Sequence, residues 1–159
     1  MSNMIREIYT KALLAKGMKT TLSTYKITLP NTCDSILGCW IVDHHHQAKI
    51  RDNQTYSVGS YDVHLWYSYD KNKSEVFVSK ITYCDEIVPE KLDPKEFNEN
   101  DETISTCLQE PKCIKATVIE EKEIEVELEK IMEISVLGET MIKIEMRDDI
   151  NQIDPNFIK

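Results

Sequence analysis

Three consecutive histidines, His44, His45 and His46, are the residues of this 159-residue sequence most suited to binding a metal ion. On a β-strand, consecutive side chains point to opposite faces, so only His44 and His46 could bind one ion together. A third ligand would have to come from Asp43 or from His64. The alternative is a polar strand end that enters a turn. The sequence favours this alternative, and we therefore expect neither a bound metal nor any other cofactor.

The sequence contains none of the common catalytic motifs. A G-x-S-x-G nucleophile elbow, an H-E-x-x-H metalloprotease motif, a Walker A loop and a Rossmann glycine fingerprint are all absent. An enzyme would require His44, His46, His64 and Asp62 to converge with a cysteine in one cleft. We expect instead a protein without catalytic activity.

Five cysteines could form covalent cross-links, and this number is high for a protein of a reducing compartment. No pair has the C-x-x-C spacing of zinc or thioredoxin sites, and an odd count leaves at least one thiol unpaired. Two interpretations stay open: buried cysteines that pack as small hydrophobic residues, or cross-links between subunits once the environment becomes oxidising. The five are Cys33, Cys39, Cys84, Cys107 and Cys113.

Aromatic side chains are concentrated around Trp40 and between Tyr61 and Tyr69. Packing in the core and across strands is their simplest role. Trp66 nevertheless falls on the opposite face from Tyr67, so this strand is either covered on both faces or presents aromatic residues to a partner. A ligand-binding, carbohydrate-type β-sandwich with Trp66 and Tyr69 as a stacking platform is therefore the alternative function.

Composition and charge restrict the class of protein further. With 41% hydrophobic and 30% charged residues, the chain has the composition of one globular domain. Its formal charge of −9 would repel the phosphates of nucleic acids, which we exclude as partners. No segment has the roughly 20 apolar residues of a transmembrane helix, and the first residues lack the features of a secretion signal. We therefore expect synthesis in a cytoplasm.

The N-terminal segment has apolar residues at helical spacing. This spacing predicts a short amphipathic helix within residues 5–16, with Gly17 just after its end, and a strand is the alternative. Residues 1–17 would form an assembly arm, residues 18–147 a β-sandwich domain and residues 148–159 a flexible tail. The apolar residues of the predicted helix are Ile5, Ile8, Tyr9, Ala12 and Leu13.

From residue 20 onward, side chains alternate with a period of two, which predicts strands. The continuous apolar run 35–42 predicts a strand that is central in its sheet and covered on both faces. Residues 61–69 and 76–83, separated by a polar turn, predict a hairpin, and the proline-containing segment 89–102 predicts an exposed loop. Further strands are predicted at 25–29, 114–118, 124–128 and, as the last one after Gly138, 140–146.

Five segments resemble the outer spore-coat morphogenetic protein E (CotE) family. The most specific are SILGCWIVDH at 35–44 and GSYDVHLWYSY at 59–69. Three further segments agree with the family in their order along the chain: residues within 6–17, LQEPKC at 108–113 and GET at 138–140. The tail at 153–158 is similar to the family's terminal sequence. The familiar long acidic run is reduced to Asp148 and Asp149, which puts client recruitment through an acidic tail in doubt. The short tail and the five cysteines suggest a clostridial-type member.

The resemblance implies a protein of the mother-cell cytoplasm that oligomerises, coats the forespore through a morphogenetic ATPase of the inner coat, and recruits outer-coat proteins. We therefore predict an all-β, mainly antiparallel sandwich or partly open barrel of about 7–9 strands that assembles with itself through strand edges and scaffolds the spore coat. The candidate interface residues are Ile5, Ile8, Tyr9, Leu13, Trp40, Trp66, Tyr67, Tyr69 and Phe157.

Overall fold

A computed structural model describes residues 3–93 and 96–147 of the chain. These residues form seven strands and no helix: β1 (Asn3–Thr28), β2 (Ser35–Arg51), β3 (Gln54–Tyr69), β4 (Lys73–Glu86), β5 (Glu90–Lys91), β6 (Glu102–Glu120) and β7 (Glu123–Arg147). Antiparallel ladders join them into a four-stranded sheet of order β5-β1-β7-β6 and a three-stranded sheet of order β2-β3-β4. The sheets pack as a sandwich and are not closed into a barrel, so the predicted all-β class is confirmed.

The predicted N-terminal helix is wrong, because the whole segment belongs to β1. A ladder with β7 runs from Asn3 paired with Arg147 to Thr28 paired with Glu123, and it satisfies the backbone groups that a helix would have satisfied internally. Gly17 ends no helix. A Cβ there would lie 2.8 Å from the Cα of Pro89, so this position serves the close approach of the segment that follows β4.

The predicted hairpin of β3 and β4 is confirmed. The turn consists of three residues, 70–72, between the paired residues Tyr69 and Lys73, and Asp70 and Lys71 have positive φ angles of 52° and 65° in it. The alternation along β3 is also as predicted, because one face is buried in the core. The buried residues on that face, each at most 1% exposed, are Tyr61, Val63, Leu65 and Tyr67.

The apolar run 35–42 is not a central strand. It begins β2, which lies at the edge of the three-stranded sheet and pairs only with β3. Cys39 and Ile41 pack against the core, whereas Leu37 and Trp40 are exposed on the opposite face. The histidines do not leave the strand for a turn either. They lie within β2, next to a bulge between Val42 and His45.

The glutamate-rich segment forms the first part of β7, and its predicted strand period is confirmed. Ile124, Val126 and Leu128 are at most 2% exposed, whereas the intervening glutamates are half-buried on the other face. The separate last strand predicted at 140–146 is a continuation of this same strand through Gly138. The predicted tail at 148–159 lies outside the described residues.

The sandwich has one closed side, where the edge strands β2 and β6 run beside each other, and one open side, where no ladder joins β4 to β1 in the described residues. Where β2 runs beside β6, side chains join the two sheets: the Thr103 hydroxyl donates to the Ala48 carbonyl at 3.0 Å, and His46 Nδ1 lies 2.7 Å from Ser105 Oγ. Residues 89–93 and 96–101 are mostly exposed loop, as predicted, apart from the two residues of β5. The division into arm, sandwich and tail stays a prediction.

Candidate assembly surfaces and the histidine cluster

The two ends of the described chain form a two-stranded ribbon that extends beyond the rest of the sandwich. We call residues 3–12 of β1 and residues 138–147 of β7 the terminal ribbon. The ladder between β6 and β7 ends where Glu102 pairs with Leu137, and β5 pairs with β1 only at Ala15 and Lys16. Among the described residues, the terminal ribbon therefore has no third strand beside it.

Apolar side chains cover both faces of the terminal ribbon. Ile5 is 69% exposed and Tyr9 is 75% exposed, and the residues between them are exposed as well. Isolated two-stranded ribbons are marginally stable in water, and exposed apolar surface of this kind marks contact sites. The further exposed apolar residues of the ribbon are Ile8, Met141, Ile142 and Ile144, and Leu13 adjoins it.

A second apolar surface lies on the outer face of the three-stranded sheet. We call it the tryptophan face. Trp40 and Trp66 are each 40% exposed there, and both rings lie over Gly38, whose missing side chain leaves the space they occupy. The tryptophan face consists of Leu37, Trp40, His64, Trp66, Val76 and Val78.

The other aromatic candidates face the opposite way. Tyr67 is fully buried and its hydroxyl donates to Glu75, and Tyr69 packs against the core with its ring 5.8 Å from that of Tyr67. Trp66 and Tyr69 therefore do not share a face, and the proposed carbohydrate-stacking platform of these two residues is not formed. Phe157 lies outside the described residues.

The edges of both sheets on the open side of the sandwich offer unpaired backbone groups. Among the described residues, strand β4 has a ladder with β3 alone, and β1 has β5 beside it at two residues. Such edges are templates for strands of another chain. Lys73 and Lys80 on β4, and Lys26 on β1, are among the exposed charges that restrict which partner strands can pair there.

The histidines divide between two places. His44 and His46 share the inner face of β2, as the strand period predicts, with ring centroids 5.0 Å apart. His64 lies on the tryptophan face with its ring 5.7 Å from Trp40. Asp43 is exposed in a left-handed conformation with φ of 56°. The ligands predicted from sequence therefore do not converge.

A polar cluster that the sequence did not predict surrounds His44 instead. Its Nδ1 lies 2.9 Å from Glu110 Oε2 and its Nε2 lies 2.6 Å from the Tyr83 hydroxyl. The ligand atoms of His44, Cys107 and Glu110 all lie within 4.8 Å of one another. Burial lowers the pKa of His44, and Glu110 opposes this effect. No sequence signal connects β2 with Cys107 and Glu110, because irregularities in the β6 ladder set which of its side chains face inward.

A buried lysine lies at the edge of this cluster. Lys130 is 3% exposed, bonds to Asp85 at 2.9 Å, and places its Nζ 4.0 Å from the centre of the Tyr83 ring. A buried ammonium needs such partners, because desolvation without a counter-charge is costly. Lys130 continues the inward-facing series of Ile124, Val126 and Leu128 in β7, but this alternation gives no indication of Asp85 as its partner.

The cysteines are all free thiols. Cys84 is exposed and Cys33 is buried. Burial raises the pKa of Cys33 and of Cys39, and it raises the pKa of Cys107 to about 11. The neighbouring thiol of Cys113, which belongs to the other sheet, also raises the pKa of Cys39.

The described residues include no helix of the length and hydrophobicity needed to cross a membrane. No curated protein and no solved structure matches this chain significantly. The model of the outer spore coat protein E (CotE) family matches residues 4–158, which is nearly the whole chain. The match includes both strands of the terminal ribbon, the tryptophan face and the histidine cluster. The chain therefore belongs to the CotE family of outer spore coat proteins.

Proposed function

We propose that this protein is a non-catalytic building block of the spore coat that assembles with copies of itself and scaffolds the outer coat. The observation that carries the proposal is the terminal ribbon, whose strands have apolar residues on both faces and, within residues 3–93 and 96–147, no third strand beside them. A coat layer requires contacts that repeat from one subunit to the next. A second copy of this chain is therefore the occupant that we assign to the ribbon.

The physical basis of the assembly is strand addition. A strand edge presents backbone donors and acceptors to another chain, and apolar side chains on the two faces fix the register of pairing. The free edge of residues 3–12 in β1 supplies the backbone groups, and Ile5 and Tyr9 supply the apolar contacts. Covering both faces removes from water the side chains that an isolated ribbon leaves exposed.

A second surface allows the assembly to grow. The tryptophan face lies on the other sheet from the terminal ribbon, so one subunit can use both surfaces at the same time. Contacts between different surfaces of identical subunits need not close into a ring, and they then produce fibres or layers. In this scheme, ribbon contacts form the primary subunit interface, and Trp40 and Trp66 contact either neighbouring subunits or other coat proteins.

The proposal includes a cellular setting, which family membership supports. The protein is synthesised in the mother-cell cytoplasm, attaches to the forespore surface through the morphogenetic ATPase of the inner coat, and recruits outer-coat proteins. What supports these steps is the family match over residues 4–158. The exposed thiol of Cys84 is available for a cross-link between subunits when the coat becomes oxidising.

Replacement of Tyr9 by serine tests the role of the terminal ribbon. Tyr9 is 75% exposed, so Tyr9→Ser removes little packing within the chain and should leave the unfolding midpoint nearly unchanged. We expect the wild-type protein to form concentration-dependent oligomers in sedimentation velocity and ordered assemblies in negative-stain microscopy, and the variant to shift toward monomer.

Val88→Ser is the matched control, because Val88 is 80% exposed but lies outside both the ribbon and the tryptophan face. It should assemble as the wild type does. A wild-type protein that stays monomeric at high concentration contradicts the proposal, as does a Tyr9→Ser variant that assembles like the control.

A further inference from the structure

We propose that His44, Cys107 and Glu110 bind a zinc ion that joins the two sheets of the sandwich. The imidazole, thiol and carboxylate present one nitrogen, one sulfur and one oxygen atom, all within 4.8 Å of one another. These are the three ligand types that zinc takes in proteins, and adjacent ligand atoms around a tetrahedral zinc ion lie roughly 3.3–3.7 Å apart. His44 Nδ1 and Glu110 Oε2 are already closer than this, at 2.9 Å, so small rotations of the side chains complete the set.

The orientation of His44 suits a metal ligand. Its Nδ1 points toward Glu110 and its Nε2 lies 2.6 Å from the Tyr83 hydroxyl. When Nδ1 binds the ion, the proton of the imidazole is on Nε2. The Nε2–H group then donates a hydrogen bond to the hydroxyl oxygen of Tyr83. Metal-bound histidines are usually held in this way by a hydrogen bond from the second ring nitrogen. His46 is engaged elsewhere through Ser105, so water takes the fourth position.

The charges at the cluster balance when the ion is bound. Zinc brings two positive charges, and the carboxylate of Glu110 and the thiolate of Cys107 bring two negative ones, with a neutral imidazole from His44. Binding transfers the proton of the Cys107 thiol to solvent as the zinc–sulfur bond forms. A neighbouring cation, Lys130, is paired with Asp85 at 2.9 Å, which limits its repulsion of the ion.

The position of the cluster gives the ion a structural role. His44 belongs to β2 of the three-stranded sheet, whereas Cys107 and Glu110 belong to β6 of the four-stranded sheet. These two strands lie side by side on the closed side of the sandwich but share no backbone ladder in the described part of the chain. Coordination would join them at a place now held by side-chain hydrogen bonds. The inference does not depend on self-assembly.

Titration of the reduced, metal-free protein with Co²⁺ tests the inference, because cobalt occupies zinc sites and reports its ligands by absorption. We expect one equivalent per chain, a near-ultraviolet band from sulfur-to-cobalt charge transfer, and displacement of the cobalt by Zn²⁺. Cys107→Ser should abolish the charge-transfer band. Glu110→Gln should weaken cobalt binding by about tenfold or more. The Glu110 side chain is 69% exposed, so this substitution should not disturb folding.

Two variants serve as controls. Cys84→Ser removes the exposed thiol, and His64→Gln removes the histidine of the tryptophan face; both should bind cobalt as the wild type does. Zinc should also raise the thermal unfolding midpoint of the wild type but not that of Cys107→Ser. A charge-transfer band that survives Cys107→Ser, or that disappears equally in Cys84→Ser, overturns the assignment. Absence of any band in the folded wild-type protein does the same.

Discussion

At the scale of single residues, the face on which a side chain lies decides its role. Trp66 and Tyr67 are neighbours in sequence, yet Trp66 is 40% exposed and Tyr67 is fully buried. Both are aromatic and both come from the same strand, so residue type alone does not separate an interface residue from a core residue. The strand period separates them, because consecutive side chains on β3 point to opposite sides of the sheet.

The cysteines differ in the same way, and their reactivity should show it. Cys84 is exposed, whereas Cys33 is buried and burial raises its thiol pKa above the ordinary value. Alkylation proceeds through the thiolate, so a raised pKa and a covered sulfur both slow it. We expect iodoacetamide to modify Cys84 first and Cys33 several-fold more slowly, measured by mass spectrometry of timed digests.

Denaturation provides the control for this experiment, because the two thiols should react at similar rates in the unfolded chain. Equal rates in the folded protein would contradict the assigned burial. If Cys84 forms cross-links between subunits, mild oxidation of the wild type should produce a dimer band on non-reducing gels, and serine at this position should remove it.

Sequence reasoning located the core residues of β3 but not the partners of His44. The period of two in residues 61–67 is a local property, so it is visible in one segment of sequence. The contact of His44 with Cys107 and Glu110 joins residues more than 60 positions apart, and the bulges in both strands set which side chains meet. No pattern within either segment carries that information.

At the scale of elements, long strands explain both the successes and the error of the sequence analysis. The β3–β4 hairpin was predicted because it has polar turn residues between two alternating segments. The N-terminal part of β1 lacks that signal, since residues 5–9 are exposed on both faces and so show no alternation between apolar and polar residues. Apolar residues at positions 5, 8 and 9 then match a helical spacing by coincidence.

The apolar run at the start of β2 was wrongly predicted to be a central strand for a related reason. Its inward residues pack on the core, and its outward residues belong to the tryptophan face, so the strand is apolar on both sides without being central. A continuous apolar run indicates either that both faces of the strand are covered within the chain or that one face is exposed and available to bind a partner. Sequence alone does not distinguish these two cases.

Gly59 controls how closely β2 approaches β3 beside the bulge. A Cβ at Gly59 would overlap the carbonyl oxygen of His45 and the hydroxyl of Tyr83. We expect Gly59→Ala to lower the free energy of unfolding by about 1–3 kcal/mol, because the backbone of β2 must move to relieve the overlap. Urea denaturation at equilibrium measures the change.

Gly38→Ala is the matched substitution in the same sheet. Its Cβ would meet only ring atoms of Trp40 and Trp66, the nearest at 3.3 Å, and these exposed side chains can move. The loss of stability should stay below about 1 kcal/mol. A cost for Gly59→Ala no larger than that for Gly38→Ala would show that the close contact of the two strands is not as described.

At the scale of the whole molecule, the pairing of β1 with β7 brings the two ends of the described part of the chain together. The ladder joins residue 3 with residue 147 and extends past the region where β6 and β5 provide neighbours. The class of fold was predictable, because it follows from local alternation. The order of strands in the four-stranded sheet was not, because it depends on contacts between segments at opposite ends of the sequence.

This arrangement makes the terminal ribbon one of the exposed apolar surfaces of the described residues, beside the tryptophan face. The core of the sandwich is formed by two buried clusters and does not include the terminal ribbon. The ribbon therefore contributes little to the packing of its own chain, which fits a segment whose contacts are made with another subunit. Membership in a family of spore coat proteins accords with a surface used for assembly.

Hydrogen–deuterium exchange of the assembled and the dilute protein tests this account most directly. We predict that amides of residues 3–12 and 138–147 exchange more slowly in the assembled form, since strand addition gives free edge groups hydrogen-bond partners and removes them from water. Core strands such as β3 should exchange alike in both forms. Identical exchange of the terminal ribbon in the two forms, with slowing confined to other surfaces, would contradict the central claim.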